Sequence, residues 1–512
     1  MKIQQNFLKI IKVYFFLGWS FCFCQHYISN IFLDSFPINL IRSELDFIID
    51  NNFNSNNTIR PLLLNNKGKK TFELGFSNQL VMNSGHPNID NSGIFYALNG
   101  NTNMTSFYYT ISKKYLFIQL SPYQINKNNI EKPDIGESTN SFSPLNSSYD
   151  YKDYNKSVTV GFRESLFLLH YKGFGVSYGN MNNWWGPGMH SSITLSSNSS
   201  GFKSIQLGTF RPISINNLHL NFRALATQMK NKYNNPYFLT GSAFSISYKS
   251  DPTFTVGVFR YHLSGAYGDL SDITSLESEW DLKDAVTLIF EPLFGQSKMG
   301  LPYTNIGSPG YDKWDQVLTG FGELIFPKDH LKIYFEISSD DNRANITDLK
   351  AHWDHTLGYL YGLRKYYYFN NNIVLFGFEY LSTKTSNTMK FWRGDLNQPN
   401  FYTRNEYDFS SFNGRRFGAH SGTSSDDLIF MLGLSNEIST TLVSFNKERH
   451  GIKHMTYPEL KTEYSLTYHR KITQHHTTFI TIEYEKIKNH NFVQNNISIS
   501  KLIWFGYSVT IN

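Results

Sequence analysis

From about residue 70 to its C-terminus the chain alternates apolar and polar residues with a period of two. In 330–338, Leu331, Ile333, Phe335 and Ile337 share one face, while Lys332, Tyr334 and Glu336 take the other. Val158, Val160 and Phe162 stand against Thr159, Gly161 and Arg163 in the same way. Near the end Phe505, Tyr507, Val509 and Ile511 oppose Gly506, Ser508 and Thr510. The pattern recurs in 220–226, 254–258, 374–380, 464–468 and 480–485. Successive side chains of a strand point to opposite faces, so this spacing predicts sheet with one greasy and one polar side.

A soluble sandwich and a lipid-embedded barrel both read this way, and other features favour the barrel. Charged residues are 17% of the 512, aromatics 16%, and mean hydropathy is −0.37. Few charges and many aromatics exclude a disordered chain. After residue 24 no run of 18 apolar residues occurs, so a helical membrane protein is excluded too. Tyr and Phe cluster at the strand ends, as in the aromatic girdles of transmembrane barrels. Backbone groups in lipid must all be paired, so such a sheet closes on itself. About 440 residues at roughly 24 per strand and connection predict on the order of 16–18 strands. The fold class expected is all-β: a large antiparallel transmembrane β-barrel with a short N-terminal helical plug.

The N-terminus reads as an export signal. Lys2, Lys9 and Lys12 precede an apolar stretch, 13–24, that is too short to span a bilayer. Cleavage is expected after Cys24. The two cysteines, Cys22 and Cys24, both lie in this segment, so the exported chain holds neither disulfide nor cysteine metal site. Loss of 1–24 leaves 44 basic and 41 acidic residues, a net +3, too weak for a nucleic-acid surface. The organisation expected is therefore a signal peptide over 1–24, an N-terminal periplasmic helical segment over 25–69, and the barrel over 70–512. The helical reading rests on Ile41, Leu45, Ile48 and Ile49, which recur at helical spacing behind Pro37. The long polar connections, 125–155, 295–313 and 384–416, belong on the extracellular side.

Asn183-Trp184-Trp185-Gly186-Pro187-Gly188, followed by Ser191, Leu195, Ser196 and Asn198, stands apart. Gly-Pro-Gly makes a tight, stiff bend. Two indoles on that platform could stack on the apolar face of a sugar ring, with Asn and Ser supplying hydrogen bonds, or could fix a corner inside a barrel. In the second case the glycan contacts fall to the long loops, to Tyr149 and Tyr151 or to Trp392 and Arg393.

At this motif the chain resembles the Wzi family of capsule assembly proteins. The resemblance is strongest over 183–202, and it extends to 315–321 and to 413–427, which contains Gly418, His420 and Gly422. It departs from the family over 89–101 and in ending on Asn512, where Tyr507 and Ile511 take the place of a terminal aromatic. The resemblance implies an outer-membrane barrel that binds exported capsular or extracellular polysaccharide and anchors it at the cell surface, without enzymatic activity. Its expected partners are that polysaccharide, outer-membrane lipid and the barrel-assembly machinery, with no cofactor. The alternative is a sugar-permeable porin, and a third reading is an outer-membrane enzyme.

Nothing in the sequence pattern favours the enzyme. Gly-x-Ser-x-Gly, Walker A, His-Glu-x-x-His and EF-hand patterns are absent. His352, Asp354 and His355 do not share a strand face, and His475-His476 reads as a solvated turn. The acidic pairs Asp340-Asp341 and Asp426-Asp427 read as strand-end loops, so no metal site is expected. Arg163, Arg223, Lys332, Glu336, Glu379, Glu483 and Glu485 fall on the polar strand face and need a wet or paired lumen.

Overall fold

The computed structural model describes residues 25–28, 58–65, 72–86, 90–95, 97–128, 157–231, 234, 236–265, 315–340, 357–384, 401–402, 404 and 407–511. The alternating segments form one closed antiparallel barrel. Its ring contains twenty-one strand segments. Three pairs of them are interrupted single strands: Leu116–Leu120 with Pro122–Asn128, Val158–Phe162 with Leu166–Tyr171, and Ser204–Thr209 with Ile213–Ile215. Each pair lies end to end along the same neighbour, so the barrel has 18 strands. Phe72–Asn83 closes the ring against Ile497–Ile511, in register from Leu74 opposite Ile511 to Asn83 opposite Leu502. Closure leaves no strand edge, as hydrocarbon requires.

The two rims differ. One carries tight hairpin turns, such as those at Lys172-Gly173, Asn216-Asn217 and Asn370-Asn371. Lys172 (φ 50°), Gly173 (φ 94°), Asn216 (φ 52°) and Asn370 (φ 54°) take the left-handed backbone that a tight hairpin demands. The first barrel strand starts, and the last one ends, at this rim. The strand ends that flank the long connections 129–156, 266–314 and 383–425 lie at the opposite rim. Short turns face the periplasm in such barrels and long loops face outward.

The pleat sorts the side chains as the alternation predicts. Ile333, Phe335 and Ile337 are exposed on the outer surface, with Lys332, Tyr334 and Glu336 buried on the inner one. Val160, Leu169, Val176, Leu432, Val443, Ile482 and Phe505 continue the apolar outer band. Near the tight-turn rim it is edged by Tyr115 and Tyr171, stacked 6.0 Å apart, and by Tyr367, Tyr368 and Phe369. Arg163, Arg223, Glu336, Glu379 and Glu485 are buried inside, and Glu483 is half-buried there.

Chain packs into the lumen around these groups. The described residues of 84–86, 90–95, 97–99, 180–203 and 407–425 fold inward from the long-loop rim, where Phe95 packs on Trp504 at 5.4 Å and Trp185 on Phe259 at 6.4 Å. The N-terminal segment enters as well. Ile59–Arg60 pairs antiparallel with Trp184–Trp185, and Gln25–Ile28 pairs with Leu62–Asn65. These described parts of 25–69 are strands, which corrects the helical expectation for them. Pro61 pushes Arg60 towards extended backbone, and the dry interior then rewards pairing its peptide groups with another chain segment. The helical reading of 40–50 and the signal over 1–24 lie outside the described residues.

Ile503 faces lipid near the middle of the strand Ile497–Ile511. An Ile503→Arg change should cost about 2–4 kcal/mol of barrel stability in denaturant titrations in lipid vesicles. A cost near zero would mean that this surface does not meet hydrocarbon.

Candidate functional site

The Trp-Trp corner lies deep in the lumen, and both indoles are fully buried. The Arg60 guanidinium sits 4.4 Å from the Trp184 ring centroid, a cation–π contact. The Trp184 indole N–H donates to the Gly186 carbonyl at 3.2 Å. Trp185 backs onto the wall at Gly241, where a Cβ would come 2.9 Å from its ring. The backbone N–H of Trp185 donates to Leu195 (3.0 Å) and that of Gly186 to Thr58 (2.9 Å). Asn183 is buried beside them and accepts from Gln206 at 3.1 Å. Gln206 in turn accepts from Arg223 at 2.9 Å, and Arg223 donates to the Pro61 carbonyl at 3.0 Å.

The bend itself is gripped by carboxylates of the wall. Glu379 accepts the backbone N–H groups of Met189 (2.8 Å) and Ser191 (2.6 Å), and the Tyr334 hydroxyl (2.7 Å). Glu336 accepts the N–H of Ile193 at 3.1 Å, and Arg364 donates to the Pro187 carbonyl. A Cβ at Gly186 would strike Glu336 and Ser192, and one at Gly188 would strike the Ser191 carbonyl. The glycines of the motif therefore permit the close approach that lets two wall carboxylates reach peptide N–H groups.

The late Gly/Ser/Asp segment locks onto the same loop. Ser196 donates its N–H to the Phe417 carbonyl and its hydroxyl to the Gly418 carbonyl, both at 2.6 Å. Asn198 accepts from Arg415 at 2.9 Å. The Tyr402 hydroxyl donates to the Ile193 carbonyl at 2.6 Å and accepts from the Ala419 N–H at 3.2 Å. Burial and the nearby Asp340 carboxylate raise its pKa, so it stays a donor. Gly422 (φ 72°) accepts the Thr383 hydroxyl at 2.7 Å. Thus Asn183, Gly186, Pro187, Gly188, Ser191, Leu195, Ser196, Asn198, Gly418 and Gly422 share one interior assembly with the paired indoles. Tyr149, Tyr151, Trp392 and Arg393 lie outside the described residues, as do His352, Asp354 and His355.

Two features were not visible in sequence. One is a cavity of about 480 Å³ at the long-loop end of the lumen. Tyr123, Phe202 and Phe412 give it aromatic walls, and Asn182, Lys203 and Asn413 give it polar ones. The other is a charged cluster around Lys461, whose ammonium meets Asp90 (2.7 Å), Glu448 (2.8 Å), Glu463 (3.0 Å) and Glu485 (3.3 Å). Burial alone would raise the Asp90 carboxyl, but Lys461 and His420 hold it well below the usual carboxylate range. Beside this cluster, His190, His420, Asp427 and Glu448 have the composition of cation ligands. Of the acidic pairs, Asp426 binds Lys384 at 2.7 Å and also Arg449, Asp340 accepts the Tyr402 N–H, and Asp341 lies outside the described residues. His475 and His476 lie on the tight-turn rim.

Residues 72–275 match the model of the family described as capsule assembly protein Wzi. Over those residues the chain is similar to the Wzi family. The match contains the Trp-Trp corner, while 315–321 and 413–427 lie beyond it. Among solved structures, Wzi of Escherichia coli aligns with a TM-score of 0.57 at 12% identity, over 85% of this chain and 84% of that one. It is described as an outer membrane protein involved in group 1 capsule assembly and as a carbohydrate-binding β-barrel. OccAB4 of Acinetobacter baumannii aligns at 0.43 with 10% identity, over 87% of this chain and 100% of its own. OccAB3 of the same organism aligns at 0.44 with 8% identity, over 86% and 99%. No curated protein sequence matches the chain. With its apolar outer band and its match to the Wzi family model, the barrel is one of the outer membrane.

Glu379 is the wall group that most directly holds the Trp-Trp corner. Glu379→Gln keeps its shape but removes the charge from three hydrogen bonds, to Met189, Ser191 and Tyr334. Hydrogen bonds to charged groups are worth about 1.5–3 kcal/mol each, so the temperature of the heat-modifiable transition should fall. Trp185→Ala should cost about 3–5 kcal/mol, the range for emptying an aromatic site in a core. Wild-type transitions in both variants would show that the corner is not part of the folded interior.

Proposed function

We propose that this protein binds an exported capsular or extracellular polysaccharide and anchors it at the cell surface. The match of 72–275 to the Wzi family model supports the reading. The observation that carries it is the combination of an occupied lumen with a cavity at the outward rim lined by both rings and amides. Sugars are recognised in such settings by stacking on aromatic faces and by hydrogen bonds to side-chain amides. A porin needs a continuous aqueous path, and among the described residues the inward segments cross the lumen where that path would run.

The paired indoles then act at a distance. Neither offers a face to solvent, so their part is to set the loop that bears Ser200 and Phe202, which line the cavity. Lys203 and Lys230 give the cavity a cationic margin. In this reading Tyr149, Tyr151, Trp392 and Arg393 add further glycan contacts. The protein holds its glycan without cleaving it. Outer-membrane lipid surrounds the apolar band, and the barrel-assembly machinery receives the final strand during biogenesis.

Phe412→Ala combined with Asn413→Ala tests the cavity. One aromatic contact of about 1–3 kcal/mol, borrowed from base stacking, corresponds to a roughly 5–150-fold loss of glycan retention on whole cells. The heat-modifiable band should be unchanged. Normal retention with a folded barrel would remove the cavity from the site. Tyr149→Ala with Tyr151→Ala, or Trp392→Ala with Arg393→Ala, should each weaken retention without unfolding, and wild-type retention in both would remove those loops. Planar-bilayer conductance separates the readings further: sustained porin-sized currents from the intact protein would favour the channel.

A further inference from the structure

Four side chains from distant parts of the chain converge inside the barrel, next to the Lys461 cluster. His190 follows the Gly-Pro-Gly bend, His420 lies in the late inward loop, and Asp427 and Glu448 project from adjacent wall strands, Asp426–Ser435 and Ser439–His450. Their donor atoms all lie within 4.8 Å of one another. Nε2 of His190 stands 3.2 Å from Asp427 Oδ2, and Nε2 of His420 stands 3.3 Å from the same oxygen and 3.5 Å from Glu448 Oε1. A tetrahedral zinc site with bonds of about 2.05 Å has ligand-to-ligand edges of about 3.3 Å. The two imidazoles meet edge to face, with ring centroids 4.6 Å apart and planes at 75°, so both nitrogens aim at one region.

The surrounding groups orient this set as outer ligands orient a metal centre. Asn446 donates to the second oxygen of Asp427 at 2.6 Å, which turns Oδ2 towards the histidines. Nδ1 of His420 lies 3.3 Å from the Ser191 hydroxyl, leaving Nε2 to face inward. Asn91 donates to the His190 carbonyl at 2.7 Å and holds that residue's backbone. Oε2 of Glu448 is buried without a hydrogen-bond partner. The His190 side chain keeps 15% of its surface exposed, which gives an ion a way in.

Charge points the same way. Asp90, Asp427, Glu448, Glu463 and Glu485 are all within reach of this region. Lys461 is the permanent cation among them, with Arg415 beyond Asp90 and His86 on Glu485. Buried carboxylates in such excess are costly unless a further cation offsets them. The second acidic set, Glu463 with Glu483 and Glu485, carries no nitrogen donor and already has Lys461 against it, so it makes no comparable site.

We propose that His190, His420, Asp427 and Glu448 bind one divalent transition-metal ion of the zinc class, tying two inward loops to the barrel wall. Two imidazoles with two carboxylates suit zinc and its first-row neighbours rather than calcium or magnesium, which take oxygen ligands. The ion is structural: all four ligands belong to the protein, and it would clamp the Trp-Trp corner and the late loop to the same two strands.

The test uses the full-length, tag-free protein, folded in detergent, dialysed against Zn²⁺ and then passed over a weak chelator. Metal analysis should find one zinc per chain in the wild type, and Co²⁺ in its place should give the intense visible bands of a tetrahedral centre. Asp427→Asn and the double change His190→Ala, His420→Ala should retain no zinc and give no such bands. Asn446→Ala should weaken binding by about 10–100-fold, as loss of an outer partner does. His475→Asn with His476→Asn, at the opposite rim, should keep full retention. If the double histidine variant loses its heat-modifiable band, Glu448→Gln and His420→Asn carry the comparison. No zinc in the folded wild type, equal zinc in folded ligand variants, or preferential retention of Ca²⁺ would each overturn the proposal.

Discussion

The interior of this barrel depends on carboxylates of the wall finding peptide N–H groups. Glu379 and Glu336 project from central strands and are buried inside, where an unpaired carboxylate would be costly. Each accepts peptide N–H groups of the inserted 186–193 segment: Glu379 those of Met189 and Ser191, and Glu336 that of Ile193. The dependence is mutual. An irregular loop inside a barrel carries unpaired peptide groups of its own, and the wall supplies their partners. Fold and plug are thus one hydrogen-bonded unit, and the Gly-Pro-Gly bend marks where the two surfaces come closest.

Around that unit the two sides of the sheet obey different solvents. The outer face meets hydrocarbon, so Ile, Val, Leu and Phe there need no partner beyond lipid. The inner face meets other protein, so it tolerates Arg223, Lys332 and Glu485 provided each is paired. Lys332 pairs with Glu323 at 2.9 Å, and Glu323 also accepts from Thr58 of the N-terminal segment. A single period-two pattern therefore encodes a membrane protein on one side and a packed polar core on the other.

This arrangement bears on how a barrel can serve as an anchor. In the proposed function, a plug tied to the wall at many points leaves recognition to the rim that bears the cavity. The same ties transmit the position of the Trp-Trp corner to the cavity, because Ser200 and Phe202 follow it by fewer than twenty residues along a buried, hydrogen-bonded path. A residue can thus be diagnostic of the family without touching the ligand.

By itself the sequence determined the barrel, the face that meets lipid and the segment that matters most. Alternation is local, and a period of two survives without knowledge of neighbours. The Trp-Trp-Gly-Pro-Gly run is likewise legible because its residues are contiguous. Only the tertiary structure decided what those residues touch. That Arg60 covers Trp184, that Asn198 meets Arg415, and that His190, His420, Asp427 and Glu448 converge all depend on segments far apart in the chain. The strand character of 59–60 was hidden for the same reason. Its pairing partner, Trp184–Trp185, lies more than a hundred residues away, and a two-residue strand has no period to read. Local pattern reports the solvent each face will meet, whereas the identity of a buried partner is set by how the chain closes on itself.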